Sequence, residues 1–384
     1  MFKAIIKTNG IYIPSNADIV RIPPRRPEDR QSGYLARFDF HGLFTDIFFD
    51  GDRLIAIGPP YLNLIDSLRE STFYFDGAYE VPSEAVEFVE QNRISRTTIE
   101  LPTVGDAKLV PHELSVRHPE FVGECSIGRD YFDLFRGKNV LVTMSRDNDL
   151  VNIRDWAAVN VAANEIDAVV IFDNRSKIYS KAEILDALDG IPGLDVAAIV
   201  DWPHPYGVTA DRNQNWDSDF GQYTAWEVAR RRLLRDANSA TIGDVDEIAL
   251  ANDGRALWRH AAETESGVLY YPLRDVLPIL EYGKSGGSRS RRHSDYHFYD
   301  EGALGSTKYT FIPGRLGESN QLLVHTIKGV ANERPDAAVA RHFMGLHRKW
   351  RDGSFGYTHK ESVGATEGPL KDQRLLDAFA SAEL

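Results

Sequence analysis

Asp244 and Asp246 stand two residues apart, just after the short run Ala240-Thr241-Ile242. In an extended backbone, side chains at i and i+2 point the same way, so both carboxylates would face one point. Two hard oxygen donors suit a divalent ion such as Mn²⁺ or Mg²⁺, held weakly by protein alone and tightly once diphosphate oxygens complete its shell. Such an ion offsets the charge that builds on a departing diphosphate. A calcium-binding loop is excluded, because Ile248, Ala249 and Arg255 stand where it needs an oxygen ligand, a glycine and a closing glutamate. A second stretch with chemical potential is residues 284–292, a Gly/Ser-rich basic run that includes Lys284 and Arg289. It predicts a loop able to close over an anionic ligand. Asp295, Asp300 and Glu301 follow it among His293, Tyr296, His297, Phe298 and Tyr299. These three acids are the candidates for a general base that takes a proton from an acceptor hydroxyl, and their aromatic and polar neighbours suit a sugar face.

The elements that must position these groups change character along the chain. Residues 1–136 read as a β-rich domain, with short alternating or aromatic runs cut by turn residues and no chemical motif. Within it, residues 4–7 and 11–13 around Asn9-Gly10, and residues 46–49 and 53–57 around Asp50-Gly51-Asp52, predict hairpins. From residue 137 to residue 384 the signals alternate between strand and helix, the pattern of an α/β domain with a largely parallel sheet. Residues 140–144, 168–172 and 196–200 are continuous apolar strands. Helices are expected from Asn148-Asp149 toward Ala163, over 181–188, and over 222–235. An amphipathic helix, 372–382, closes the chain with Leu375, Leu376, Phe379 and Ala380 on one side. Ligands of such sheets collect at the carboxyl ends of the strands, which directs attention to residues 146–149, 173–176 and 201–202.

Four motifs in order, Asn148-Asp149 with Asp155-Trp156, Asp173-Asn174-Arg175-Ser176, Gly221-Gln222, and Asp244-Val245-Asp246-Glu247, resemble those of the GT-A nucleotide-sugar glycosyltransferases, particularly families 2 and 92. The resemblance covers residues 138–328 and leaves the first 136 residues outside it. It implies a GT-A-like nucleotide-binding sheet with flanking helices. Asp173 would then meet the nucleoside, Asn148 and Asp149 would lie near the same nucleotide edge, and Asp244 and Asp246 would hold the metal and diphosphate. Downstream, Lys308-Tyr309, Pro313-Gly314-Arg315 and His325 resemble the family's Lys-Tyr strand, Pro-X-Arg turn and late histidine. That likeness makes His325 the expected last metal ligand, with His342 as its rival; a neutral imidazole joins carboxylates readily on Mn²⁺. Asp149 and Asp155 replace the family's glutamates with the same charge, and Gly243 replaces an apolar strand residue.

The implied activity is metal-dependent, inverting transfer of a hexose from a nucleoside diphosphate sugar, a UDP-sugar first, to a carbohydrate or glycolipid acceptor in polysaccharide biosynthesis. Two other functions compete. A nucleotidyltransferase acting on sugars would need a Gly-rich loop after its first strand, and residues 144–148 contain no glycine. A non-catalytic carbohydrate- or protein-binding module is opposed by the intact Asp244 and Asp246. A net charge of −13 argues against nucleic acid as partner. The single cysteine, Cys125, cannot form an internal disulfide, and no basic, apolar leader is evident, so a cytoplasmic location is expected. No apolar run reaches the ~18 residues that a spanning helix needs, which leaves peripheral membrane association as the expected limit.

Overall fold

A computed structural model describes residues 1–104, 106–211, 215–281, 291–302, 304–331, 336–346, 362–363 and 368–384. The chain forms two compact units, one built from Met1–Ile6, Asp133–Asp201 and Leu234–Leu384, the other from Lys7–Phe132 and Trp202–Leu233. A linear division near residue 136 corresponds to one of four points where the chain passes between them.

The first unit is mixed α/β. Among the described residues its central sheet has nine strands: β1 (Phe2–Lys7), β2 (Asn139–Ser145), β3 (Ala168–Asp173), β4 (Val196–Asp201), β5 (Ser239–Ile242), β6 (Glu247–Ala251), β7 (Val268–Val276), β8 (Leu304–Phe311) and β9 (Ala338–Phe343), in the order β1-β4-β3-β2-β5-β8-β7-β9-β6. The strands β4, β3, β2 and β5 run parallel, and β8 pairs antiparallel with β5. Continuous apolar runs are what parallel strands need when helices cover both faces, and every residue of β3 is buried. Helix α1 (Leu150–Asn164) begins at Asp149, whose carbonyl accepts from the N–H groups of Asn152 and Ile153, and ends at Glu165 in the left-handed conformation. Helix α2 (Lys181–Leu188) starts with a capping box in which Ser180 and Glu183 satisfy each other's backbone N–H. Helix α3 (Leu257–Glu263) and the terminal helix α4 (Gln373–Ser381) complete the cover, with Leu375, Ala378 and Phe379 of α4 entering the same core as Ile153 and Trp156 of α1. Ala380, expected on the buried stripe of α4, is exposed. No described helix is long and apolar enough to cross a membrane.

The chain runs outward through β2, β3 and β4, then returns to β5 on the other side of β2. That reversal creates a topological switch point between the carboxyl ends of β2 and β5, the usual ligand crevice of open α/β sheets. The antiparallel half is also curled. The ladder places β6 four positions from β5, ~19 Å along a flat sheet. Yet a tight turn joins the two strands, with Glu247 N–H donating to the Asp244 carbonyl at 2.9 Å. Only a sheet that bends back on itself meets both conditions.

The second unit is β-rich. Strands Asp46–Asp50, Arg53–Gly58, Ile94–Glu100 and Val86–Gln91 form one antiparallel sheet, and Phe121–Ser126, Glu113–His118, Thr72–Phe75 and Tyr79–Glu80 form another. The hairpin expected around Gly51 is present, with Asp50 opposite Arg53 and Gly51 at φ 66°. The hairpin expected around Asn9-Gly10 is not. Residues of β1 join β4, while Ile11–Tyr12 pairs with Gly42–Phe44. Gly10 serves close packing, because an added Cβ would lie 2.6 Å from the Phe44 carbonyl oxygen. The helix expected over 222–235 is an α-helix at Phe220–Val228 followed by a wider π turn at Ala229–Leu233. Its buried charges are paired within the unit, Arg232 with Asp46 at 2.7 Å and Arg231 with Glu227 at 3.1 Å.

Candidate metal and nucleotide site

Asp244, Val245, Asp246 and Glu247 form the turn between β5 and β6, not the extended segment that the i, i+2 spacing suggested. The turn brings three acids together instead of two. Ligand oxygens of Asp244, Asp246 and Glu247 all lie within 4.8 Å of one another. Every carbonyl of Asp244, Val245 and Asp246 is bonded: the first accepts from Glu247 N–H, the second from His293 Nε2 at 2.8 Å, the third from Phe343 N–H at 2.8 Å. Burial pushes the His293 imidazole down from its ordinary pKa, so it is neutral and donates from Nε2 to Val245. The Glu247 carboxylate accepts from Asp244 N–H at 3.0 Å. A turn with its backbone satisfied in this way holds its carboxylates in one geometry.

Strand register supplies the surroundings. Glu247 on β6 is opposite His342 on β9, which is opposite Asp275 on β7, so the three side chains form one row on one sheet face. His342 bonds Asp275 Oδ1 through Nδ1 at 2.7 Å, and its Nε2 lies 3.8 Å from Asp246 Oδ2. Lys308, on β8 and 2% exposed, places its ammonium 3.0 Å from Asp244 Oδ2 and 3.1 Å from Glu247 Oε2. Burial alone would lower the Lys308 pKa, but the two carboxylates together raise it, so the lysine is charged. Burial raises the Glu247 pKa, with Lys308 opposing. Beneath the turn lies a cavity of about 10 Å³ whose lining includes Trp156, Asn160, Tyr271, Glu247 and Lys308.

The carboxyl ends of β2, β3 and β4 bring Ser145, Asp173 and Asp201 into register. Asp173 is 3% exposed, and Lys181 at the start of α2 reaches both Asp173 (3.6 Å) and Asp201 (3.0 Å). Asn148 donates from Nδ2 to Ser145 Oγ at 2.9 Å, and Asp149 occupies the N-cap of α1. Asp147, at φ 54°, accepts from Lys177 N–H at 2.6 Å and so ties the loop after β2 to the loop after β3.

The remaining expected site residues do not join the acidic cluster. His325 donates from Nδ1 to the Thr307 carbonyl at 2.9 Å, and burial, then Lys308, lowers its pKa. It is not among the residues whose ligand atoms converge with Asp244. Asp295 is 2% exposed, and its carboxylate accepts from Arg292 N–H at 2.9 Å. Asp300 and Glu301 are exposed. Lys284 and Arg289 lie outside the described residues. Three contributors escaped sequence reasoning in these roles: Glu247 as a converging acid, Lys308 as its counter-charge, and Asp275 as partner of His342. Glu247 and Lys308 belong to the acidic and Lys-Tyr motifs, which do not mark these roles, and Asp275 reads only as a charged residue in a strand.

No family model matches the chain, and no curated protein matches it. Among solved structures, one of an active-site mutant of the glycosyltransferase LgtC aligns with 13% identity and a TM-score of 0.26, over 46% of this chain and 58% of that one. The alignment thus spans less than two thirds of the LgtC chain, and a likeness this weak carries no argument about activity.

Proposed function

We propose that the chain is a metal-dependent glycosyltransferase that moves a hexose from a nucleoside diphosphate sugar, a UDP-sugar first, to a carbohydrate or glycolipid hydroxyl. The observation that supports this reading is the convergence of Asp244, Asp246 and Glu247 in a rigid turn at the switch point of a mixed α/β sheet. Three carboxylates and a nearby imidazole are a donor set suited to Mn²⁺ or Mg²⁺, which when bound would offset charge on the leaving diphosphate. His342 is the favoured imidazole ligand over His325. Its Nδ1–H donates to Asp275 while its Nε2 faces the Asp246 carboxylate at 3.8 Å, the outer-shell pattern of metal-binding histidines. Asp173, with Asn148 and Asp149 at the same sheet edge, would take the nucleoside, and Lys284 and Arg289 the diphosphate.

In the transfer, the acceptor oxygen bonds to C1 of the sugar, the bond from C1 to the diphosphate oxygen breaks, and the acceptor proton passes to a carboxylate. Asp300 or Glu301, both exposed, suits that role better than Asp295, whose carboxylate is buried against backbone. The test is release of nucleoside diphosphate from a panel of sugar nucleotides with Mn²⁺ and mixed glycan acceptors. Release should require the metal, vanish in Asp246→Ala, and fall in Asp300→Ala or Glu301→Ala without loss of donor binding. Release unaffected by Asp246→Ala would refute the assignment.

A further inference from the structure

Lys308 sets this acidic turn apart from a simple metal trap. Two of the three converging carboxylates, Asp244 and Glu247, are already bridged by an ammonium that the chain itself supplies and buries. A divalent ion arriving alone must share those oxygens with Lys308 and bear its repulsion in a partly desolvated setting, where charges a few ångströms apart interact far more strongly than in water. A nucleoside diphosphate brings several negative charges and offsets that repulsion.

We infer that Lys308 is an internal counter-cation that makes divalent-metal binding conditional on the diphosphate, so that metal and nucleotide bind together and neither binds well alone. The inference rests on the reading of Asp244, Asp246 and Glu247 as the metal and diphosphate site. A second feature gives the lysine somewhere to go. The cavity of about 10 Å³ beside Lys308 and Glu247 is of single-water size and mainly apolar, with the polar groups of Asn160, Thr241 and Tyr271 also in its lining. When a metal takes the carboxylates, the ammonium can turn toward this space and donate to the Tyr271 hydroxyl, another of the lining residues. Coupling of this kind is reciprocal: whatever factor the nucleotide adds to metal affinity, the metal adds to nucleotide affinity.

The experiment measures Mn²⁺ binding by electron paramagnetic resonance of the unbound ion, with and without UDP, on the wild-type chain, Lys308→Met and Lys308→Gln. The glutamine variant keeps a hydrogen-bond donor toward the two carboxylates if the methionine variant folds poorly. In the wild type, UDP should tighten Mn²⁺ binding at least tenfold. In either variant Mn²⁺ alone should bind at least tenfold more tightly than to the wild type, and the gain from UDP should shrink. Equal Mn²⁺ affinity with and without UDP in the wild type overturns the inference, with no variant needed. Asp246→Ala separates the two claims. If that variant abolishes Mn²⁺ and UDP binding but the Lys308 variants bind metal as the wild type does, the counter-cation role fails alone. If Asp246→Ala binds as the wild type does, the site assignment itself fails.

Discussion

Replacing Asp275 with asparagine tests whether the row Glu247–His342–Asp275 serves the metal. The substitution turns a charge-assisted bond from His342 Nδ1–H, 2.7 Å long, into a neutral one and leaves the shape almost unchanged. The Asp275 side chain is 51% exposed, so solvent screens its charge and the loss falls at the lower end of the range, ~1 kcal/mol. At about 1.4 kcal/mol per factor of ten, Mn²⁺ affinity in the presence of UDP should fall about fivefold. His342→Gln, which removes the nitrogen altogether, should cost about tenfold to a hundredfold. Fold stability should move by less than ~0.5 kcal/mol in Asp275→Asn, since the site is at the surface. Mn²⁺ titrations followed by electron spin echo provide the readout, because an imidazole on the metal produces a nitrogen modulation. The modulation should survive Asp275→Asn and disappear in His342→Gln. Its persistence in His342→Gln with loss in His325→Gln would rule out His342 and restore His325 as the ligand.

Other consequences concern the scaffold. Gly10→Ala should destabilise the protein by ~1–3 kcal/mol in urea denaturation, because its Cβ would meet two backbone oxygens, of Phe44 at 2.6 Å and Thr45 at 2.8 Å. Asp155 is fully buried and pairs with Arg292 through contacts of 2.8 and 2.5 Å, so Asp155→Ala should lower stability by ~3 kcal/mol and broaden or lower the melting transition. Asp219 supplies a pH signature: burial, opposed by Arg93, pushes its carboxyl up to about 6 from 3.8. Between those values the folded chain holds the proton more readily than the unfolded chain. The group therefore adds stability as pH falls from about 6 toward 4, and loses that contribution as pH rises, by up to ~3 kcal/mol. The unfolding free energy of wild type minus that of Asp219→Asn should decline across this window. A flat difference would contradict the burial argument.

The parallel strands β2, β3 and β4 were legible because each is a continuous apolar run, and the acidic turn because its residues are adjacent in sequence. What sequence could not express is long-range register. β1 pairs with a strand nearly two hundred residues away, and no local feature of residues 4–7 distinguishes that partner from a hairpin. Asp275, His342 and Glu247 meet because three neighbouring strands align in register, and nothing local to Lys308 shows that it faces two carboxylates. Asp295 shows the converse. An aspartate that caps backbone and one that faces a ligand are the same letter, and only burial distinguishes them.

Calorimetric titration of UDP into the chain with and without Mn²⁺, for the wild type and Asp246→Ala, tests the metal and diphosphate site itself. Binding should need the metal and be lost in the variant. UDP binding that is indifferent to Mn²⁺ and intact in Asp246→Ala would contradict a metal and diphosphate site at Asp244, Asp246 and Glu247.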